Sequence, residues 1–213
     1  MSAADLTPQE IVDFWFPDGP APDLERHVEL WTWRMQGGAN EAIMESYVEV
    51  TERAAMGEFD RWSKTPIGRL ALIILLDQFP RTVWAGTPKA YSQDKRAKDF
   101  CLEGLENGHF DELDSVWYKT VFFIPLAHCE CPDHMANLDR MVSLADRMLV
   151  EAPDHLREFY EFAAEQPRRH REVINRFGRH VHRNSVLGRA STPEEEAYIS
   201  TGEFPHNRTA RDA

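Results

Sequence analysis

The chain predicts an all-α domain from two observations. Thr-Pro occurs four times, at Thr7-Pro8, Thr65-Pro66, Thr87-Pro88 and Thr192-Pro193, and apolar residues at helical spacing follow each time. Threonine supplies an N-cap oxygen, and proline fits the first helical position, where no amide bond is lost. No segment shows the strict alternation of a half-buried strand.

The elements follow in order. From Pro8 a helix carries Ile11, Val12, Trp15 and Phe16 up to the Pro-Asp-Gly-Pro turn at 17–20, and Glu10 stands at the capping-box distance from Thr7. A second helix, about Asp23 to Met35, presents His27, Leu30, Trp31 and Arg34 and stops at Gly37-Gly38. A third is expected from Asn40 to Gly57. Thr65 then opens the most apolar helix, through Leu76 towards Phe79, whose all-round hydrophobicity marks the buried centre, with Pro80 ending or kinking it. Further helices are expected from Pro88 to Asn107, from Asp111 to Cys131 with a kink at Pro125, from Pro132 to Glu151, and from Pro153 to Phe177 with a break at Pro167. Gly178 suits the left-handed position after a helix end. Thr192 and Glu195 repeat the capping box.

Gly57-Glu58-Phe59-Asp60 and Gly108-His109-Phe110-Asp111 share Gly-x-Phe-Asp, each closing one helix and leading into the next. That is helical-hairpin punctuation, similar to the turns of tetratricopeptide units but at a longer spacing. Residues 1–200 are read as one domain. The segment 201–213 is expected to be poorly ordered, because its Arg-Thr-Ala-Arg-Asp-Ala ending offers no apolar anchor.

Composition narrows the function. With 213 residues, 42% apolar, the chain is long enough to bury a core without disulfides. Three cysteines form no disulfide framework, and the longest apolar run, Leu70 to Leu76, is too short to span a membrane. A soluble protein of a reducing, cytoplasmic compartment is expected. Its 24 basic against 36 acidic side chains repel phosphate backbones, so neither nucleic acid nor membrane is an expected partner. The sequence sets no oligomeric state.

The arginines Arg168, Arg169, Arg171, Arg176, Arg179, Arg183 and Arg189 crowd one segment that holds a single acid, Glu172. Such a segment is either an anion-binding stripe or a basic stretch docked on the acidic remainder of its own fold. Polar residues also end three apolar stretches: Asp77, Gln78 and Arg81 after Ile73–Leu76; His128 and Glu130 after Val121–Leu126; Arg179, His182, Arg183 and Asn184 after Val173–Phe177. A buried charge must be paired. A cluster of Asp77, Arg81, His128, Glu130, Arg179, His182 and Arg183 is therefore expected, with Asp77 paired to an arginine of the 176–183 segment.

Phe14-Trp15-Phe16, the Leu75-Leu76-Asp77-Gln78-Phe79-Pro80-Arg81 run, Pro125-Leu126-x-His128-x-Glu130 and the Arg176 to Glu195 stretch closely resemble the bacterial domain-of-unknown-function family 924. The resemblance reaches to about residue 199. It implies a tetratricopeptide-type α-α superhelix and no particular activity. Tyr91 with Asp94 just beyond matches the family's pattern of an aromatic and an acid. Cys129, Asn40 and His180-Val181 depart from it, standing where the family usually has Ser, Asp and an aromatic followed by Pro. Those departures weaken a His180-x-His182 metal reading and any nucleophilic role for Cys129.

Three functions are open on these residues. The leading one is a binding module for a small anionic ligand or a peptide, using Asp77, Gln78, Arg81, Tyr91, His128, Glu130, Arg179, His182, Arg183 and Asn184, since guanidinium forks match carboxylate and phosphate. A hydrolase would pair His128 or His182 with a carboxylate and take Ser185 or Ser191 as nucleophile, although no nucleophile elbow is present. A structural protein would use the same cluster as an internal salt-bridge network. No metal and no cofactor is assigned: His128, Cys131 and His134 recur every third residue, but Pro132 interrupts them and no fourth ligand is apparent.

Overall fold

The computed structural model describes residues 6–19 and 21–207, and every regular element among them is helical. Helix α1 (Pro8–Trp15) starts in the expected box, with Thr7 and Glu10 each capping the other's backbone. Helix α2 (Leu24–Met35) is capped by Asp23 and pinned to the end of α1 by a buried ion cluster. Asp18 accepts Arg34 Nη1 at 2.6 Å and Nη2 at 3.2 Å, and His27 Nδ1 lies 3.2 Å away. Burial would raise the Asp18 carboxyl, but the hydrogen bonds from His27 and Arg34 outweigh it and hold the group below its ordinary value.

The third expected helix divides into α3 (Asn40–Ser46) and α4 (Val48–Ala55). The break falls at Tyr47, whose ring packs 4.5 Å from that of Phe14 and 5.3 Å from that of Phe79, so aromatic contact overrides helix continuity. Thr65 caps α5 (Pro66–Ile73), which runs through a wide π turn at residues 74–78 into α6 (Phe79–Val83). Pro80 neither ends nor sharply breaks this rod. Without an N–H it cannot continue the normal bonding pattern, and the π turn absorbs the mismatch by bonding Phe79 N to the Ile74 carbonyl. Leu70 to Leu76 and Phe79 are wholly buried, between α1 and α4 and the later helices α7 (Asp94–Glu106) and α8 (Val116–Phe122).

Thr87 opens a short 3-10 turn, Pro88–Tyr91, before α7, where one helix was expected. Its hydroxyl donates to the Trp84 carbonyl at 2.7 Å and so leaves the helix start uncapped. Pro125 separates α8 from the single turn α9 (Pro125–His128). Helix α10 (His134–Glu151) packs along α11 (Arg157–Phe177) as a long hairpin. Pro167 does not break α11. Arg168 Nη1 donates to the Ala164 carbonyl at 2.7 Å in the turn that the proline loosens. Gly178 takes the left-handed C-cap, with φ 71°, and Thr192 and Glu195 box the start of α12 (Pro193–Thr201). The two Gly-x-Phe-Asp segments are one device used twice. Gly57 and Gly108 share φ 88°, and Phe59 and Phe110 are both buried.

Of the segment 201–213, expected to be poorly ordered, residues 201–207 are described. After Gly202 the chain folds into a 3-10 turn, Pro205–Asn207, with Pro205 buried and the His206 carbonyl accepting Gln36 Nε2 at 2.9 Å. Residues 208–213 lie outside the described residues.

Asp18→Ala would leave the buried Arg34 charge uncompensated and is expected to cost about 3–5 kcal/mol. Denaturant midpoints check this, and a shift no larger than that of the exposed control Glu49→Ala would contradict it.

Candidate functional site

The π turn matters because it carries Asp77 on the end of the buried rod, wholly removed from solvent. Its Oδ1 lies 2.8 Å from His128 Nδ1, and Gln78 Nε2 donates to its Oδ2. Arg81 Nη2 stands 3.7 Å away. Burial pushes the Asp77 carboxyl up, while the His128 charge and hydrogen bond, then Arg81, push it down and prevail. Asp77 therefore fixes the His128 ring and turns its Nε2 edge away from the rod. The expected partner in the 176–183 segment is not found, because Arg183 is taken by another acid.

That acid is Asp94, in the first turn of α7, where the helix dipole favours a negative charge. Its Oδ1 accepts Arg81 Nη2 at 2.6 Å and its Oδ2 accepts Arg183 Nη1 at 2.9 Å. Arg81 Nη1 donates to the Ala90 carbonyl at 2.7 Å, and Arg183 Nη1 to the His128 carbonyl at 3.0 Å. The Tyr91 ring lies 4.9 Å from the Arg81 guanidinium and 4.4 Å from that of Arg183. Each guanidinium thus gives two hydrogen bonds to protein and keeps donors to spare. Arg183 Nε is buried without a protein partner among the described residues.

These groups face a cavity of about 440 Å³. Helix α2 contributes Trp31, Arg34 and Met35; Gln78, Arg81, Thr82 and Tyr91 enter from the rod and its sequel; Phe123, Ile124, Ala127 and His128 come from the α8–α9 region. Helix α11 supplies Phe162, Ala163, Gln166, Pro167 and His170, and the chain after it supplies His180, His182, Arg183 and His206. No carboxylate lines the cavity among the described residues; Asp18, Asp77 and Asp94 stand behind the cations they neutralise.

Beside the arginines is a chain of imidazoles. Ring centres lie 5.3 Å apart for His134 and His180, 5.5 Å for His180 and His182, and 4.4 Å for His182 and His206. His134 Nε2 and His180 Nε2 both donate to the Ala127 carbonyl, at 2.9 and 2.7 Å. Burial first, then neighbouring positive charges, pulls His170 down to about 3 and His182 to about 2, and drives His180 well below its ordinary value. These rings are neutral at pH 7, and no group of three or more His, Cys, Asp or Glu side chains is placed to hold a metal among the described residues.

Of the expected site residues, Asp77, Gln78, Arg81, Tyr91, His128, His182 and Arg183 meet at or directly behind the cavity wall. Glu130, Arg179 and Asn184 do not. Glu130 accepts the His180 amide at 2.6 Å and an Arg189 bond, clasping the loop after α11. Arg179 grips Glu195 through two bonds of 2.8 Å, which, with the Thr192 amide, hold that carboxyl down to about 2. Asn184 Nδ2 donates to Ser191 Oγ at 2.9 Å. The arginine-rich segment is docked on its own fold: Arg168 on Asp146, Arg171 on Asp139, Arg176 on Glu194, and Arg189 on Glu130. Arg169 has no carboxylate partner among the described residues, and Arg183 turns inward to Asp94, the acid it shares with Arg81. Neither Ser185 nor Ser191 lines the cavity, and His182 has no carboxylate partner among the described residues. Burial raises the Cys129 thiol, which leaves it a poor nucleophile.

Sequence reasoning missed Gln166, His170, His206 and Arg34 as lining residues. The spacing of Gln166 and His170 on α11 repeats that of one helical face, but the break expected at Pro167 hid it. His206 fell within the tail read as disordered.

The chain matches the model of the family described as bacterial protein of unknown function (DUF924) over residues 11–203. It belongs to that family. A solved structure of a protein of unknown function from Agrobacterium tumefaciens is similar at 29% identity and a TM-score of 0.71, covering 92% of this chain and 97% of that one. No curated protein matches the chain. Among the described residues, no helix is long and apolar enough to cross a membrane.

Asp94→Ala strands two guanidiniums, one deeply buried, and is expected to cost about 3–5 kcal/mol, more than Arg81→Ala; equal denaturant midpoints for the two variants would contradict the shared clamp. The histidines give a second expectation. A histidine whose folded value lies below the 6.5 of the free group binds its proton more readily when unfolded, so its contribution is complete above pH 6.5 and is lost as pH falls. Each of His170 and His182 should remove up to about 1.4 kcal/mol per pH unit below 6.5, joined near pH 4 and below by Asp77. Stability measured from pH 7 to 4.5 should fall steeply, and less steeply in His182→Gln; a flat profile would refute the neutral rings.

Proposed function

We infer that the protein is a binding module for a small organic anion, held in the cavity by Arg81 and Arg183. The observation that carries this reading is the shared Asp94 clamp. One carboxylate orients two guanidiniums, Tyr91 stiffens both, and both arginines line a cavity wall that carries no acid among the described residues. Guanidinium forks recognise carboxylate or phosphate oxygens bidentately. A partly open cavity of about 440 Å³ is of the size that takes a small molecule. Tetratricopeptide-like stacking of the hairpins would supply the concave wall, with residues 1–200 acting as one unit.

A second reading rests on Asp77 and His128. A buried carboxylate that orients an imidazole is the basic half of a hydrolytic site. The threonine hydroxyls on the wall are committed elsewhere, Thr32 to Val28 O, Thr82 to Asn40 Oδ1 and Thr120 to Val116 O, so His128 would have to activate water.

Binding is checked by thermal shift and calorimetry with small carboxylates and phosphate. A ligand at 100 times its Kd should add about 2.7 kcal/mol of stability, and Arg183→Met should weaken binding at least tenfold. Wild-type affinity in Arg183→Met would remove the arginine pair from the site. His128→Gln separates the two readings: retained binding with turnover of an anionic ester lost supports hydrolysis, and retained binding with no turnover by either protein supports binding alone.

A further inference from the structure

Building on that reading, we propose that the ligand is an amphipathic monocarboxylic acid, its head between Arg81 and Arg183 and its apolar body extending along α11 towards Phe162.

The charge balance selects the head. Arg81 and Arg183 face Asp94, while Asp77 faces His128; with His128 protonated the five groups sum to a single positive charge, and with it neutral they sum to zero. Arg34 is cancelled by Asp18. One negative charge is the most this site balances, which fits a carboxylate and disfavours the dianion of a phosphate monoester, because an unmatched buried charge is expensive.

The wall selects the body. Along α11 the lining changes from Phe162 and Ala163, through Gln166, to His170, which lies 6.1 Å from His180 at the cationic end. Eight residues of helix separate Phe162 from His170, a distance of about 12 Å. The α8–α9 wall makes the same change, from Phe123 and Ile124 to His128. Two walls therefore agree on an apolar end and a polar end. Gln166 Nε2 lies between them, buried without a protein partner among the described residues, and offers one donor to an oxygen on the body. A compact inorganic anion would use none of this surface.

The test is calorimetry of the full chain against straight-chain acids from acetate to dodecanoate, with inorganic phosphate as the head-only control. Affinity is expected to rise about fourfold for each buried methylene, the equivalent of about 0.8 kcal/mol, and to level off once the body reaches the end of the wall. Ala163→Phe should bring the plateau forward by two or more carbons and leave the shortest acids unchanged. Should that variant fail to fold, the wild-type series decides alone. Equal affinity across the series, abolished by Arg183→Met, would overturn the amphipathic ligand and leave the anion site standing. Phosphate binding without binding of any acid would overturn the amphipathic ligand alone, and no binding by any acid or by phosphate, or binding indifferent to Arg183→Met, would overturn both.

Discussion

The site depends on one carboxylate doing service for two cations. Asp94 takes Arg81 on one oxygen and Arg183 on the other, so α6, the start of α7 and the segment after α11 are tied at a single point. Arg183 is 4% exposed and could not remain charged there without a partner. Two arginines against Asp94 leave one positive charge, which is available to a further anion when His128 is protonated against Asp77. A separate acid for each arginine would have cancelled it.

Asp77 shows how such a polar site can sit against an apolar core. The rod from Pro66 to Val83 buries its apolar faces completely, and the π turn widens the helix where Pro80 withholds an N–H. A carboxylate placed in that turn meets His128, Gln78 and Arg81, and their combined effect outweighs the cost of its desolvation. Helix, proline and ion pair thus form one arrangement: the feature that interrupts regular hydrogen bonding also delivers the charge.

Local signals in the chain were readable where a residue acts on its own neighbours. Thr7, Thr192 and Asp23 cap helices, Gly178 closes one, and the Leu70–Leu76 run is the centre of the core. The signals failed where distant contacts decide. Tyr47 splits a helix because Phe14 and Phe79 lie beside it, and α11 continues through Pro167 while packed along the whole of α10. Pairing was least legible. Residue type announced that Asp77, Arg81, His128 and Arg183 need partners, but the identity of each partner depends on how helices approach. Asp94 therefore took the arginine expected on Asp77, while Arg179 and Glu130 found acid and base nearer the surface.

Locating anions directly in crystals is the simplest test of an anion seat between Arg81 and Arg183. Crystals soaked in sodium bromide and measured at the bromine absorption edge should show an anomalous peak inside the cavity, within hydrogen-bonding distance of both guanidiniums. Peaks confined to the exposed arginines of α11, with none between Arg81 and Arg183, would contradict the account.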